Sequence, residues 1–268
     1  MSAASPALEV SGLELRFGGI DALKGVGFSV AERELLAVIG PNGAGKTSIF
    51  NCVSGAYRPN AGTVSLHGED ITGRSPVAIA KAGVARTFQN LGLFTNLALV
   101  DNLMLGRHAH MSTGMLAGML WLGRARREER EHREYVEDII DLLRLDGVRS
   151  QPVGLLPYGI QKRIELGRAL AMSPTVLLLD EPVAGMNQRE TDEMAGFIEV
   201  VRAQTGVAVV LVEHDMGFVM GLADRVLAVD FGSPLATGTP VEIQSDPAVI
   251  RAYLGDAAAP AGLSGGAR

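Results

Sequence analysis

The chain contains 268 residues, carries a net charge of −6, and is 47% hydrophobic and 20% charged. This composition excludes an intrinsically disordered chain, and the length suits one large α/β domain or two small ones. The acidic balance argues against a dedicated nucleic-acid-binding protein. The single cysteine, Cys52, excludes an internal disulfide framework and suits a reducing compartment.

The first predicted elements are strands that precede a glycine-rich loop. Residues 8–17 alternate in hydrophobicity, as an exposed antiparallel strand does, and a second strand-like stretch lies near residues 26–30. The N-terminus has neither the basic nor the apolar region of a signal peptide, so we expect none. Phe17 ends the first strand. Its ring either stacks on a nucleotide base or packs in the sheet, and the residues alone leave both interpretations open.

The glycine-rich loop lies between an apolar strand and a helix within residues 35–50, LLAVIGPNGAGKTSIF. It matches the pattern G-x-x-x-x-G-K-[ST] at Gly40, Gly45, Lys46 and Thr47. Glycines allow successive backbone N–H groups to surround a phosphate, and the helix directs its positive end at the same anion. Lys46 can reach the β- and γ-phosphates, and Thr47 can offer a hydroxyl to Mg²⁺. The sequence therefore predicts a nucleoside triphosphate site.

The middle of the chain changes from strands to helices. Residues 62–73 predict a hairpin strand, and residues 83–89 predict a further strand that ends in Gln89. The Gln89 amide is either a ligand of Mg²⁺ or of a water beside the γ-phosphate, or an ordinary polar loop side chain. From residue 91 to about 155 helical patterns replace the strands, and the mixed charges of residues 124–133 indicate a solvated helix face. We interpret this region as a helical insert in an α/β core.

Two later apolar runs, residues 175–180 and 207–213, are typical of parallel strands that are covered on both faces. The first ends in Asp180, and an aspartate in this place holds Mg²⁺ beside a phosphate loop. The adjacent Glu181 can polarise a water for in-line attack on the γ-phosphate. His214 follows the second strand, and neighbouring parallel strands end at one crevice, so we expect it to contact the γ-phosphate or the attacking water. The alternative for the two carboxylates is a polar strand end or a helix cap.

The motifs GPNGAGKT, TFQ, LPYGIQKR with IELGRAL, LLLDEP and VEHD occur in the order found in ATPase subunits of ABC transporters, which the chain resembles over nearly its whole length. The segments RFGGIDAL, ARTFQNLGLF, EPVAGMN and GTPVEIQSDPAVIRAYLG resemble most closely the ATPases of branched-chain amino acid uptake systems. The resemblance implies an α/β P-loop NTPase fold with a RecA-like core, an N-terminal antiparallel β-subdomain and an inserted α-helical subdomain.

The implied boundaries make residues 1–256 one ABC ATPase domain. Within it, the core covers about residues 1–92 and 164–256, and the helical subdomain covers about residues 93–163. The remaining residues, 257–268, are low in complexity and are predicted to form a disordered tail.

The resemblance also implies a nucleotide and its ligands. Phe17 stacks on the adenine of ATP, while Thr47, Gln89 and Asp180 surround Mg²⁺, and Gln89 couples the site to a permease. The residues implied to hold the phosphates are Gly40, Pro41, Asn42, Gly43, Ala44, Gly45, Lys46, Thr47 and Ser48.

By the same resemblance, Glu181 is the catalytic base and His214 is the switch that steadies the γ-phosphate. Gly159 belongs to the segment of residues 156–163 that caps the nucleotide bound to the opposite subunit. The implied assembly is a head-to-tail ATPase dimer under two transmembrane permeases, at the cytoplasmic face of the membrane. An extracytoplasmic solute-binding protein supplies the permeases, and no nucleic acid is involved.

The capping segment departs from the common L-S-G-G-Q. Pro157 stands in place of the serine, Tyr158 replaces the first glycine and Ile160 replaces the glutamine, while Gly159 is kept. Proline removes a hydroxyl and a backbone N–H from a helix start that should donate to phosphate, although it is sterically tolerated there. Our hypothesis is that this subunit caps a weakened site and that a homologous ATPase partner completes the stronger one.

The sequence is compatible with other functions of a phosphate loop to different degrees. A translation or DNA-repair ABC protein usually has two nucleotide-binding units or a long insert, and the sequence has neither. A GTPase or nucleotide kinase is disfavoured by the paired Asp180 and Glu181, by the segment LPYGIQKR and by the absence of an N-K-x-D motif. A non-hydrolysing binder is disfavoured by the presence of both Glu181 and His214. An importer subunit for branched-chain or other hydrophobic amino acids is the preferred interpretation. The alternative is the same kind of ATPase subunit in a transporter for urea, short amides or another small solute.

Overall fold

The computed structural model describes residues 5–87, 92–107 and 123–254. Its strands are β1 (Leu8–Phe17), β2 (Ile20–Val30), β3 (Leu35–Ile39), β4 (Ala61–Leu66), β5 (Glu69–Asp70), β6 (Val84–Arg86), β7 (Val176–Asp180), β8 (Ala208–Val212), β9 (Arg225–Asp230) and β10 (Ser233–Gly238). Its α-helices are α1 (Lys46–Val53), α2 (Pro76–Ala82), α3 (Leu99–Arg107), α4 (Gly123–Leu142), α5 (Tyr158–Leu170), α6 (Gln188–Thr205), α7 (Met216–Leu222), α8 (Pro240–Ser245) and α9 (Pro247–Leu254).

The larger sheet has the strand order β10-β9-β3-β8-β7-β6, and its neighbours from β9 to β6 are parallel. Every residue of β3, β7 and β8 is buried. Alternate residues point to opposite faces, so Leu35 joins one apolar cluster while Leu36 joins the other. A continuous apolar run is what a strand covered on both faces requires, and the predicted parallel strands are confirmed.

The smaller sheet is antiparallel, with the order β2-β1-β4-β5. Its inward residues, among them Leu8, Val10 and Val26, share an apolar cluster with Phe50 of α1 and with Val38 of the larger sheet. The predicted N-terminal antiparallel subdomain is confirmed. Of the strand predicted over residues 83–89, the described part forms β6, in register with residues 176–178 of β7, and residues 88 and 89 lie outside the described residues.

On the other face of the larger sheet, α3 packs against α4 and α5. The buried side of α4 carries Val136, Ile139 and Ile140, which belong to the same apolar cluster as Leu35. Arg127, on the other side of the helix, is exposed. The predicted helical insert with one solvated face is therefore confirmed, and with it the α/β P-loop NTPase fold class. The numbered division into core and helical subdomain stays a prediction. Gln89 and the predicted tail, residues 257–268, lie outside the described residues.

Among the helices that the structure describes, none has both the length and the apolar character that a transmembrane span needs.

Asn102 secures the segment that leads into α3. Its side chain is fully buried. The Oδ1 atom accepts the N–H of Phe94 at 2.9 Å, and Nδ2 donates to the carbonyl oxygens of Phe94 at 3.0 Å and Ala98 at 3.1 Å. The N–H of Phe94 is therefore bound by this amide, while its carbonyl oxygen accepts both the amide and the N–H of Leu97 at 3.1 Å.

We predict that Asn102→Ala lowers the free energy of unfolding by about 2–4 kcal/mol, because it removes the acceptor of the Phe94 N–H together with the hydrogen bonds from Nδ2, and opens a small cavity at a fully buried position. Urea denaturation measures the change. Asp101→Ala, at the neighbouring exposed position, is the control and should cost less than about 1 kcal/mol. An equal loss in both variants would contradict the assignment.

Candidate active site

A cavity of about 720 Å³ opens at the carboxyl end of β3. Three parts of the chain form it: the start of β2, the loop before α1 together with the first turn of that helix, and one residue from each of two other loops. The lining residues are Gly19, Ile20, Asp21, Ala22, Lys24, Asn42, Gly43, Ala44, Gly45, Lys46, Thr47, Ser48, Glu181 and Phe231. The greater part of the predicted phosphate loop therefore faces one cavity.

The loop requires glycine at two positions, because a Cβ at either one would be too close to a backbone carbonyl oxygen. Gly40 has φ 155°, and a Cβ there would lie 2.1 Å from the carbonyl oxygen of Val229. Gly45 has φ 103°, and its Cβ would lie 2.9 Å from the carbonyl oxygen of Ala22. A side chain at either position would collide with backbone of a neighbouring strand, so the loop could not keep its curvature.

Lys46 begins α1 and turns back over the loop. Its Nζ donates to the carbonyl oxygens of Gly40 at 2.6 Å and Pro41 at 3.0 Å. Partial burial lowers the pKa of this ammonium, whereas the charges of Glu181 and Asp180 act to raise it. The ammonium is therefore held at the loop, close enough to both carboxylates at the end of β7 for their charges to act on it.

Glu181 and His214 come together from two strand ends. The Glu181 backbone is left-handed, with φ 48°, and its N–H donates to the carbonyl oxygen of Val212 at 2.9 Å. The Nδ1 atom of His214 lies 3.9 Å from Oε1 of Glu181. A glutamate in this strained conformation is uncommon and costs free energy, and such conformations cluster at functional sites.

Asp180 is almost fully buried and is bound by Arg86, which the sequence analysis did not single out. Nη2 of Arg86 lies 2.7 Å from Oδ2 of Asp180, and Nη1 donates to Oδ1 of Asn51 at 2.7 Å. The ion pair joins β6 to β7 beneath the loop, and the hydrogen bond to Asn51 joins both strands to α1. A sequence signal did exist, because Arg86 lies inside a predicted strand and an arginine needs an anionic partner wherever such a strand is buried.

Thr47 and Asp180 offer the oxygen donors that Mg²⁺ prefers. The Thr47 side chain is exposed in the cavity, while Asp180 ends β7, which is next but one to β3 in the sheet. Arg86 contacts Oδ2 of Asp180, so its carboxylate keeps a fixed orientation. The donor set fits a cation that is bound partly through water.

Glu213 is the second residue that sequence reasoning missed, although it stands directly before His214. Its carboxylate is 1% exposed and accepts backbone N–H groups from Val183 at 3.1 Å, His214 at 2.9 Å and Asp215 at 3.3 Å. One buried anion thus ties the segment after Glu181 to the segment that carries His214. The signal was a charged residue at the end of an otherwise apolar run.

Six of the described predicted residues are not among those that line this cavity: Phe17, Gly40, Pro41, Gly159, Asp180 and His214. Phe17 ends β1 with its ring 46% exposed and 5.2 Å, edge to face, from the ring of Tyr57. It stands two residues before Gly19, which lines the cavity. Gly159 lines a separate pocket of about 50 Å³. Gln89 lies outside the described residues.

The capping segment starts α5 at Pro157, whose carbonyl oxygen accepts the N–H groups of Ile160 and Gln161, each at 3.0 Å. The hydroxyl of Tyr158 donates to the carbonyl oxygen of Ala184 at 3.1 Å. A Cβ on Gly159 would lie 2.7 Å from the carboxylate of Glu190. The segment is therefore packed tightly against the loop that follows Glu181.

The last helix reaches back to the phosphate loop. Burial raises the pKa of the Tyr253 phenol, and a hydrogen bond with the Gly40 backbone acts in the opposite direction. The C-terminal part of the described chain thus contacts the loop at its first glycine.

The fold and the cavity together define a P-loop NTPase, and comparison with known proteins identifies the family. A model described as ABC transporter matches residues 23–184, and one described as branched-chain amino acid ATP-binding cassette transporter matches residues 233–259. The high-affinity branched-chain amino acid transport ATP-binding protein BraF of Pseudomonas aeruginosa is 45% identical over 94% of this chain and 99% of its own length. LivG of Escherichia coli, which carries the same description, is 40% identical with the same coverage.

A solved structure described as the ADP conformation of an ATP-binding cassette of an ABC transporter superposes with a TM-score of 0.82 at 27% identity, covering 94% of this chain and 99% of that one. A nucleotide-free cassette gives a TM-score of 0.81 at 27% identity, with 94% and 100% coverage. The chain belongs to the ABC transporter ATP-binding family, in the branch of the branched-chain amino acid transport ATP-binding proteins. It is accordingly a transport ATPase that binds ATP.

We predict that Glu213→Gln lowers kcat for ATP about tenfold with little change in KM, because an amide presents one oxygen where the carboxylate presents two, and His214 and Val183 then shift. Steady-state phosphate release measures both constants. Glu193→Gln, at an exposed position of α6, is the matched control. A Glu213→Gln protein that is less stable but keeps its full kcat at temperatures where it is folded would show a purely structural role.

Proposed function

We propose that this chain is the ATP-hydrolysing subunit of an importer for branched-chain or other hydrophobic amino acids. The observation that carries the proposal is the convergence of Lys46, Glu181 and His214 at the ends of adjacent strands. The strongest support for the substrate class is the identity to relatives described as high-affinity branched-chain amino acid transport ATP-binding proteins. The alternative is the same ATPase subunit in a transporter for urea, a short amide or another small solute.

Binding of the triphosphate depends on the loop. The backbone N–H groups of residues 40–48 and the positive end of α1 surround the phosphates, and Lys46 exchanges the carbonyl oxygens of Gly40 and Pro41 for phosphate oxygens. Thr47, Asp180 and Gln89 would hold Mg²⁺, which would supply positive charge beside the triphosphate. Phe17 is proposed to stack on the adenine.

Hydrolysis requires a positioned water. The Glu181 carboxylate accepts a proton from the water while the water oxygen bonds to the γ-phosphorus and the bond to the β-phosphate oxygen breaks, giving ADP and phosphate. His214 lies within reach of Glu181 and can hold the γ-phosphate. Fixing these groups on two strand ends keeps the attack in line.

The working unit is proposed to be a dimer of ATPase subunits beneath two permeases, at the cytoplasmic face of the membrane. Each subunit would contribute its segment of residues 156–163, including Gly159, to the nucleotide of the opposite subunit. Nucleotide binding would close the dimer and hydrolysis would reopen it, and a solute-binding protein outside the membrane would supply the permeases.

We predict that Glu181→Gln lowers the rate of phosphate release by at least about 100-fold while ATP still binds, because the general base is lost and the phosphate loop is unchanged. Phosphate release and ATP binding are measured on the same preparation. Glu199→Gln, at an exposed position of α6, should leave both unchanged. Wild-type turnover that survives in Glu181→Gln would overturn the assignment of the base.

The substrate class is tested with the assembled transporter. Tagged Glu181→Gln protein, purified from solubilised membranes with Mg·ATP, should retain its permeases, and wild-type protein with those permeases should drive uptake of labelled leucine into proteoliposomes. Uptake of labelled urea or acetamide without leucine uptake would select the alternative.

We predict that Pro157→Ser raises hydrolysis by the homodimer about 3- to 10-fold, because serine restores a hydroxyl and a backbone N–H at the start of α5. Pro152→Ser is the matched control, since Pro152 precedes the short helix Val153–Leu155 in the same way. Hydrolysis by the wild-type homodimer equal to that of Pro157→Ser would refute the weakened-cap hypothesis, and with it the argument for a heterologous ATPase partner.

A further inference from the structure

Phe231 is a large apolar side chain in an unusual place. It is 77% exposed, it lines the nucleotide cavity, and its backbone is left-handed with φ 43°. Aromatic residues rarely adopt this conformation, and a left-handed backbone at a residue with a Cβ carries a free-energy cost.

The turn that carries Phe231 is a two-residue hairpin loop between β9 and β10, and Gly232 completes it with φ 80°. Positive φ at both central positions is the requirement of a type I′ turn, for which Asn-Gly is the preferred pair. Asparagine would therefore stabilise this turn better than phenylalanine does. The backbone alone gives no reason for an aromatic residue.

The turn is fixed against the phosphate loop from two sides. The N–H of Gly232 donates to the carbonyl oxygen of Ala44 at 3.0 Å, and the N–H of Lys24 donates to the carbonyl oxygen of Gly232 at 2.8 Å. A Cβ on Gly45 would lie 3.5 Å from the Cα of Gly232. The position of the Phe231 side chain is therefore set by the same backbone that binds the phosphates.

We infer that Phe231 is a binding residue for the nucleoside part of the nucleotide, with its ring against the base or the ribose once the phosphates occupy the loop. The inference extends the ATP binding established above to a residue that lies far from the phosphate motif in the sequence. An aromatic side chain can stack on any nucleobase, and such a contact stabilises binding. Ile20, which is 71% exposed, lines the same cavity and adds apolar surface beside it.

The test separates the nucleoside from the phosphates. Titration calorimetry is performed with Mg·ATP and with Mg·tripolyphosphate, which has the same phosphate chain and no nucleoside. For Phe231→Asn we expect ATP affinity to fall about 5- to 20-fold and tripolyphosphate affinity to change less than about twofold. The midpoint of thermal unfolding should rise by about 2–4 °C, since the turn is relieved of strain. Phe231→Tyr keeps the ring and should bind ATP within about twofold of wild type.

A matched control exists in the other sheet. His67 and Gly68 form the two-residue loop between β4 and β5, with φ 47° and 81°, and His67 is exposed. His67→Asn should raise the unfolding midpoint by a similar amount and leave both affinities unchanged.

Several results would overturn the inference. Unchanged ATP affinity in Phe231→Asn would show that the ring has no nucleotide contact, and an equal loss with tripolyphosphate would show that the turn merely supports the loop. A lower unfolding midpoint would show that the ring packs structurally. An affinity loss that depends on protein concentration would place Phe231 between copies of the chain. Failure of the wild-type protein to bind ATP would instead overturn the assigned activity, and so the two failures are distinguishable.

Discussion

The site depends on the parallel pairing of β3, β8 and β7. Val212 of β8 is in register with Val38 of β3 on one side and with Asp180 of β7 on the other. This register brings the ends of the three strands to one level, so the phosphate loop after β3, Glu181 after β7 and His214 after β8 open on one crevice. A slip of one residue in any strand would exchange the side chains that face the two apolar clusters and move its polar end out of the site.

Beneath this crevice the protein buries charges and pairs them. Arg86, which pairs with Asp180 and donates to Asn51, joins three elements under the phosphate loop, and the Glu213 carboxylate holds two loops through backbone N–H groups. Buried charges are costly unless they are paired and hydrogen-bonded, and removal of one partner costs more than the pair contributes. Such groups therefore fix geometry more than they add stability, which is what a reaction that depends on in-line attack requires.

The capping segment and the catalytic segment are in direct contact within one chain. The Tyr158 hydroxyl binds the carbonyl oxygen of Ala184, three residues after Glu181, and Gly159 leaves room for the Glu190 carboxylate. Glu190 also closes the capping box of α6 with Asn187. The segment proposed to serve the opposite subunit's nucleotide is thus packed against the loop beside this subunit's own base. A displacement of α5 would be transmitted to that loop through a short chain of contacts.

The sequence by itself determined the parts of the site that local chemistry specifies. The glycine spacing, Lys46 and Thr47 predicted a phosphate loop, and continuous apolar runs predicted the buried parallel strands, because both signals lie within a few neighbouring residues. The order of motifs along the chain identified the family, and the comparisons confirmed it.

Only the tertiary structure decided which distant residues meet. Arg86 lies 94 residues before its partner Asp180, the Glu213 carboxylate reaches Val183 across 30 residues, and Phe231 joins a cavity whose other members come from residues 19–48 and 181. The sequence can mark Arg86 or Glu213 as a charged residue in an apolar run, but no local pattern tells which distant group it will contact, and none marks Phe231. Their roles follow from strand register and hairpin position, which depend on packing over the whole chain.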